Sequence, residues 1–315
     1  MTMKFAMKKF HLVSKYANYL TWDEKQNAPF KGKQMMLKET IKRIVYKFLQ
    51  YSMYSAIKEQ NLLELKNRLT KIVPDLSEQY TSHKIEGSYL LDKMRSQHSF
   101  QISLAQDAIS LLNSKKRENP TIVDIGDSSG THLQYLQVIE GGNIRTTSVN
   151  LDPDAIQKIR DKGFEAIETR AELLHDHPDF NGQADIFLSF QMVEHLLDPI
   201  NFLHSMATKS KCDYFVITVP YLNRSRVGLP QIRYKDDKRP FKAETTHIFE
   251  LSPDDWNLIF KFSGWKIIKS VRYTQYPKKN PLTLLRYLWR RIDFDGFYGV
   301  ILQKDDSFSK QYKDW

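Results

Sequence analysis

Between Thr121 and Val219 the chain alternates short apolar runs with amphipathic segments, and that alternation restricts it to few folds. Runs near 121–126, 145–150, 164–168, 184–190 and 213–219 have strand length, and those at 184–190 and 213–219 are apolar almost throughout. Strands of this kind are buried on both faces. The stretches between several of them, near 131–139, 153–162 and 196–208, carry helical spacing. Strand–helix–strand alternation implies right-handed crossovers and a parallel sheet covered by helices on both sides. Two later runs, 266–273 and 297–303, read as further strands separated by a helical insert near 281–292. The expected fold is therefore α/β, with a seven-stranded, mostly parallel sheet.

Upstream of the alternation the pattern is helical. Ile41, Ile44, Val45, Phe48 and Leu49 recur at helical spacing with Lys38, Lys42, Arg43 and Lys47 between them. A second run through Leu62, Leu63, Leu65 and Leu69 is stopped by Pro74, and a third extends from Tyr89 to Leu112. The polar stretch 113–120 then reads as a linker. Residues 1–114 are expected to form a helical region or lid, 115–304 the α/β domain, and 305–315 a polar tail. Within the domain, 245–264 reads as a loop and a helix capped by Ser252 before Pro253.

Charge is placed unevenly. Residues 1–50 hold eleven Lys/Arg against three acids and 221–315 hold nineteen against eleven, so the middle is acidic within a total of +10. Basic ends on such a core suggest an anionic docking partner, although ordinary solvated helix faces give the same count. Helices at 35–49 and 282–291, the second offering Leu284, Leu285, Leu288 and Trp289 beside Arg286, Arg290 and Arg291, are the expected contact. No apolar run approaches the roughly 20 residues needed to span a bilayer. The single cysteine, Cys212, has no intramolecular partner and sits beside a core strand, so an inert thiol in the cytoplasm is expected. Attachment at the inner membrane face through the basic helices would be peripheral.

Two segments carry the chemistry. Thr121-Ile-Val-Asp-Ile-Gly-Asp-Ser-Ser-Gly130 is a strand running into a small-residue turn and a helix, which lets backbone approach a ligand. Ala184-Asp-Ile-Phe-Leu-Ser-Phe-Gln-Met-Val-Glu-His-Leu-Leu-Asp-Pro199 ends a buried strand in an acid and a histidine. Asp124, Gly126 and Gly130 resemble the acid-glycine loop of class I S-adenosylmethionine (SAM) methyltransferases, a Rossmann-like fold. Glu194-His195-Leu-Leu-Asp-Pro resembles a segment of one subgroup of them. The resemblance implies SAM as cofactor, held by Asp124, Gly126, Asp127, Ser128 and Gly130 at the first strand end. Asn150 and Leu151 would serve it at the second end, Ala171 and Glu172 at the third, and Gln191 after the fourth. Two positions depart from the family: Ser128 replaces the middle glycine, and Asn150 replaces the acid that takes the ribose hydroxyls. Asp152, two residues on, reads as the cap of the following helix, with rescue of the ribose contact in place of Asn150 as the other reading.

Glu194, His195 and His247 are the candidate catalytic residues. A histidine beside the transferred methyl takes a proton from an acceptor hydroxyl; the competing reading makes Glu194 and His195 groups that fix the turn. Some relatives hold a divalent ion with an acid-x-x-acid-histidine pattern, but Gln191 stands where the first acid would be, so no metal is expected. Arg95 and His98 read as helix surface, with a substrate-facing place as the other reading. Tyr221, Trp265 and Trp289 either line an acceptor pocket or fill core. The family's Asn/Asp-Pro-Pro-Tyr tetrad for nucleobase amines is absent, and Gln191-Met-Val-Glu stands there instead. The expected activity is O-methylation of a saccharide, a lipid-linked or another small-molecule acceptor. RNA methylation drawn in by the basic ends, and a SAM-binding but inactive partner subunit, are the alternatives. Oligomeric state is not encoded in any feature of the sequence.

Overall fold

A computed structural model describes residues 31–115, 118–227, 246–287, 289 and 295–311. Three helices come first: α1 (Lys31–Glu59), α2 (Leu63–Ile72) and α3 (Ser88–Asn113). The alternating region follows as β1 (Thr121–Ile125), α4 (Thr131–Ile139), β2 (Arg145–Asn150), α5 (Pro153–Asp161) and β3 (Glu165–Glu168). It continues with β4 (Ile186–Phe190), α6 (Pro199–Lys209) and β5 (Tyr214–Tyr221). A two-residue ladder, β6 (Arg226–Val227) with β7 (Phe249–Glu250), precedes α7 (Pro253–Phe262), β8 (Trp265–Thr274) and β9 (Gly296–Lys304).

The seven long strands form one sheet in the order β3-β2-β1-β4-β5-β9-β8. β1 to β5 run parallel, and β9 is antiparallel to both β5 and β8. This is the expected seven-stranded, mostly parallel sheet. An antiparallel neighbour can follow by a simple returning connection, and β9 returns from β8 in this way to lie between β8 and β5. Strand order reverses direction between β1 and β4, and in open α/β sheets ligands bind at the carboxyl ends beside such a reversal.

Successive residues of a strand point to opposite faces, and the two cores sort accordingly. Ile122, Ile186 and Leu188 join Leu69, Ile102, Ile109 and Leu136 on one side. Val123, Ile125 and Phe187 join Phe202, Trp256, Phe260 and Trp265 on the other. Ile57 of α1 and the buried face of α3 share the first core with the sheet. Helix caps follow the sequence: Asp152 accepts from Asp154 N, Asp198 from Asn201 N, and Ser252 from Asp255 N. α6 begins at Pro199, later than 196, because Val193–His195 first makes a 3-10 turn.

The basic helices meet each other. Trp289 is fully buried against Leu49, Met53, Tyr89 and Tyr276, and its indole N–H donates to Ser52 Oγ at 3.2 Å. It therefore cannot serve in the docking stripe expected of it, since a buried indole fills core and satisfies its N–H there. Leu284 stays exposed on the 3-10 turn Pro281–Leu285. Leu288, Arg290 and Arg291, and the side chains of Ile41 and Leu285, lie outside the described residues, as do residues 1–30. Tyr221 and Trp265 are core residues too, and neither lines a ligand cleft. Burial pushes the Cys212 thiol up to about 12, which keeps it protonated and inert. Among the described residues no helix is long and apolar enough to cross a membrane.

Candidate active site

A cleft of about 980 Å³ opens at the carboxyl ends of the strands beside the order reversal. At its first end lies the loop after β1. Gly126 has φ +95°, and a Cβ there would sit 2.7 Å from Met192 Cγ, so both backbone and space demand glycine. Its N–H donates to Val149 O at 2.8 Å, tying the loop to β2. Gly130, with φ +73°, turns the chain into α4.

Asp124 and Asp127 lie beneath this loop, almost wholly buried, with His132 between them. His132 Nδ1 is 3.1 Å from Asp124 Oδ2 and 3.7 Å from Asp127 Oδ1. Burial pushes the Asp127 carboxyl up to about 6. For His132 burial opposes the charge, but the hydrogen bond to Asp124 and the charge of Asp127 raise the ring's pKa overall. Two acids and one histidine leave this end suited to a cationic ligand, and the glycine cradle leaves room for backbone approach. Both features fit SAM, with its ammonium and sulfonium groups.

At the second strand end Asn150 is turned inward. Its Nδ2 donates to Asp127 O at 3.0 Å and its Oδ1 accepts from Asp152 N at 2.9 Å. Leu151 is exposed beside it, and Ala171 and Glu172 face the cleft from the turn after β3. Over this end runs the segment 78–84. Gln79 Nε2 donates to Ser128 Oγ at 3.3 Å, Ser129 Oγ donates to Gln79 Oε1 at 3.2 Å, and the Thr81 hydroxyl donates to Asp152 Oδ2.

The other end of the cleft is built from distant loops. Gln191 follows β4 with φ +56°, a left-handed conformation that costs a non-glycine residue roughly 1–3 kcal/mol and clusters at functional sites. Its N–H donates to Thr218 O at 2.8 Å and its side-chain amide to Thr218 Oγ1 at 3.2 Å. His195 Nδ1 lies 2.9 Å from Thr246 O. A carbonyl only accepts, so Nδ1 carries the hydrogen and Nε2 is the basic nitrogen of the neutral ring. His247 packs edge-on against His195 with ring centroids 4.7 Å apart, and its Nδ1 is 3.3 Å from Glu250 Oε1. Glu250 is fully buried and also receives the Arg226 guanidinium. Burial opposes its ionisation, but hydrogen bonds from His247 and Arg226 bring the carboxyl below its ordinary pKa.

Glu194 stands behind the two histidines, with no exposed surface and no place on the cleft wall. Burial pushes its carboxyl up to about 7. Glu194, His195 and His247 offer ligand atoms within 4.8 Å of one another, as do Asp124, Asp127 and His132. The third wall is α3, where Lys93, Gln97, His98 and Gln101 face the cleft. His98 is buried edge-on to His132 at 4.9 Å, not on the helix surface as its sequence context suggests. Burial holds its ring well below the ordinary histidine pKa. Arg95 leaves the site by donating to Pro74 O.

Of the residues singled out from sequence, Gly126, Ser128, Asn150, Leu151, Ala171, Glu172, Gln191, His195 and His247 line the cleft together. Asp124, Asp127, Gly130 and Glu194 lie behind it as support. Arg226, Glu250 and the 78–84 segment were not legible. Glu250 had one signal, its place three residues after His247 in Thr245-Thr-His-Ile-Phe-Glu250; Arg226 and Gln79 had none.

Residues 97–270, more than half of the chain, match a family model described as a methyltransferase domain. No curated protein matches. Among solved structures, the methyltransferase in complex with the Haloferax volcanii Trm112 methyltransferase activator is 16% identical. That match covers 68% of this chain and 92% of the other, with a TM-score of 0.45. The O-methyltransferase of a Brevibacillus brevis trans-AT polyketide synthase multienzyme, solved with S-adenosylhomocysteine, is 9% identical. It covers 70% and 76% at a TM-score of 0.48. The Burkholderia thailandensis 1,6-didemethyltoxoflavin N1-methyltransferase is 14% identical, covering 69% and 87% at 0.44.

Proposed function

The chain belongs to the methyltransferase-domain family and is a SAM-dependent methyltransferase; from that premise we propose that it O-methylates a hydroxylated saccharide, lipid-linked or other small acceptor. The observation that carries this reading is the His195–His247 pair, held at the end of the cleft opposite the glycine loop. Bound SAM supplies a methyl already activated on a sulfonium. What remains for the protein is to hold an acceptor oxygen in line and take its proton. His195, with its proton fixed on Nδ1 by Thr246 O, presents Nε2 as base; His247 packs beside it with Nδ1 3.3 Å from Glu250 Oε1. Gly126 and Ser128 border the methionine and ribose parts with Asp124, Asp127 and Gly130 supporting the loop from behind, Asn150 and Leu151 border the ribose, and Ala171, Glu172 and Gln191 frame the remainder. Glu194 lies buried behind the turn, and its place in the Glu-His-Leu-x-Asp-Pro segment supports assigning the chain to that subgroup. No divalent ion takes part.

A lipid-linked acceptor is favoured by one surface. α1 has no acid from Thr40 to Lys58, and it exposes Ile44, Phe48, Tyr51 and Tyr54 among Arg43, Lys47 and Lys58. Leu284 and Tyr287 are exposed on the insert that packs against the same helix. Each basic residue near an anionic leaflet contributes about 1 kcal/mol, enough together for reversible attachment. Tyr46 of α1 stacks on Tyr89, which begins the helix whose next turns form the cleft wall. Flotation with anionic and neutral vesicles tests the surface, and RNA shifted on a gel without vesicle binding would favour the RNA reading. The activity itself is tested by following S-adenosylhomocysteine with cell extract as acceptor source and identifying the product by mass spectrometry. An O-methylated product is expected. An N-methylated product, or SAM binding without turnover in any extract, overturns the proposal, the second outcome in favour of an inactive partner subunit.

A further inference from the structure

The two places where this chain departs from the family loop, Ser128 and Asn150, are explained by one structural feature. The segment 78–84 lies across the cofactor end of the cleft, and Gln79, Tyr80, Thr81 and Ser82 all face into it. Ser128, in place of a glycine, gives Gln79 its acceptor, and Ser129 returns a bond to the same amide. Gln79 is buried by this exchange. Lys158 on α5 donates to the carbonyls of Glu78 and Tyr80 at 3.2 and 3.4 Å, fixing the segment from the other side.

Asn150 is committed to the backbone at both polar ends, to Asp127 O and to Asp152 N. Each of those bonds shapes the loop that carries it. A carboxylate, Asp152, stands two residues on and is also on the cleft wall. Its Oδ1 caps α5 through Asp154 N, while Oδ2 receives the Thr81 hydroxyl. A ribose diol is a pair of hydroxyl donors, and a carboxylate is its strongest acceptor. The Thr81 hydroxyl is the same chemical group on the same oxygen.

We infer that Asp152, and not Asn150, takes the ribose hydroxyls of the cofactor, and that Thr81 is their rival for Oδ2. Entry of the cofactor then competes with the bond that ties the 78–84 segment to the second strand end, while Gln79 keeps the segment anchored to the loop at Ser128. The segment is thus a latch set by the cofactor it covers. This inference rests on SAM as cofactor and is independent of the acceptor.

Titration calorimetry with S-adenosylhomocysteine and with its 2′-deoxyribose analogue tests it. In the wild-type protein the analogue binds about tenfold more weakly, as expected for a lost hydrogen bond to a charged group. Asp152→Asn, which keeps an oxygen for the helix cap, binds S-adenosylhomocysteine about tenfold more weakly and no longer distinguishes the two ligands. Thr81→Val, on the other side of the contact, binds S-adenosylhomocysteine about fivefold more tightly and keeps the distinction. An Asp152→Asn protein that still discriminates overturns the ligand assignment. A Thr81→Val protein with equal or weaker affinity overturns the rivalry, and it does so even if Asp152→Asn fails to fold. A folded wild-type protein that binds neither ligand removes the cofactor itself, which is a separate failure.

Discussion

The two ends of the cleft are made in different ways. The cofactor end is built from consecutive turns after β1, β2 and β3, and its shape is set by backbone: Gly126 and Gly130 at positive φ, and the Gly126 N–H on Val149 O. Its charges are gathered within a few residues, Asp124 and Asp127 about His132. The acceptor end is built from side chains that meet from far apart, His195 after β4, His247 and Glu250 around β7, and the inner face of α3. Backbone-built sites tolerate side-chain replacement, which is why Ser128 and Asn150 sit in an otherwise intact loop. Side-chain-built sites change whenever the loops that carry them change, so one sheet supports many acceptors.

Removing both histidines is expected to have the largest effect. His195→Ala with His247→Ala should lower turnover by about 10²–10⁴, the usual worth of a general base, with affinity for S-adenosylhomocysteine unchanged. Assays of product release beside calorimetry check this. A parallel fall in cofactor affinity would break the division into two ends.

Glu194→Gln measures what burial behind the histidines costs. The folded carboxyl is raised from 4.5 to about 7. Its favourable contribution is therefore full below pH 4.5 and lost as pH rises through about 7, a swing of about 3 kcal/mol. Thermal melts at pH 5 and pH 8 should show the variant gaining on wild type as pH rises. A constant difference would mean that the carboxyl is ionised throughout.

Gly126→Ala should cost roughly 1–3 kcal/mol of stability through its φ and through Met192, and weaken S-adenosylhomocysteine binding with it. Gly142→Ala, at φ +79° with nothing within 4 Å, is the control for the backbone cost alone. Equal melting temperatures for the two variants would remove the packing part of the argument. The smallest effect belongs to metal. Turnover is expected to stay the same in EDTA, and a loss restored by magnesium would show that the acceptor end uses an ion.

The strands and the first loop were legible because their signals are local. Apolar runs of strand length and a small-residue turn keep their meaning whatever packs against them. The placement of α3 was not legible in this way. Its periodicity marks one buried face, but the same pattern leaves open what that face covers, and His98 looked like surface until Tyr135, His132 and the cleft were in place around it. Trp289 likewise read as part of a docking stripe and proved to be core, because α1 supplies Leu49 and Met53 to enclose it. Asn150 stood where a ribose acid was expected, yet two backbone groups claim its amide.

The succession of strands and helices along the chain, the glycine positions and the delivery of His195 to a strand end follow from residues adjacent in sequence, whose conformations are fixed by local sterics and burial. Which histidines pack together, what crosses the cofactor cleft and which aromatic groups reach solvent depend on contacts between residues tens to hundreds of positions apart. Only closure of the sheet and its helices brings Gln79 to Ser128, His195 to Thr246 and Trp289 to Ser52.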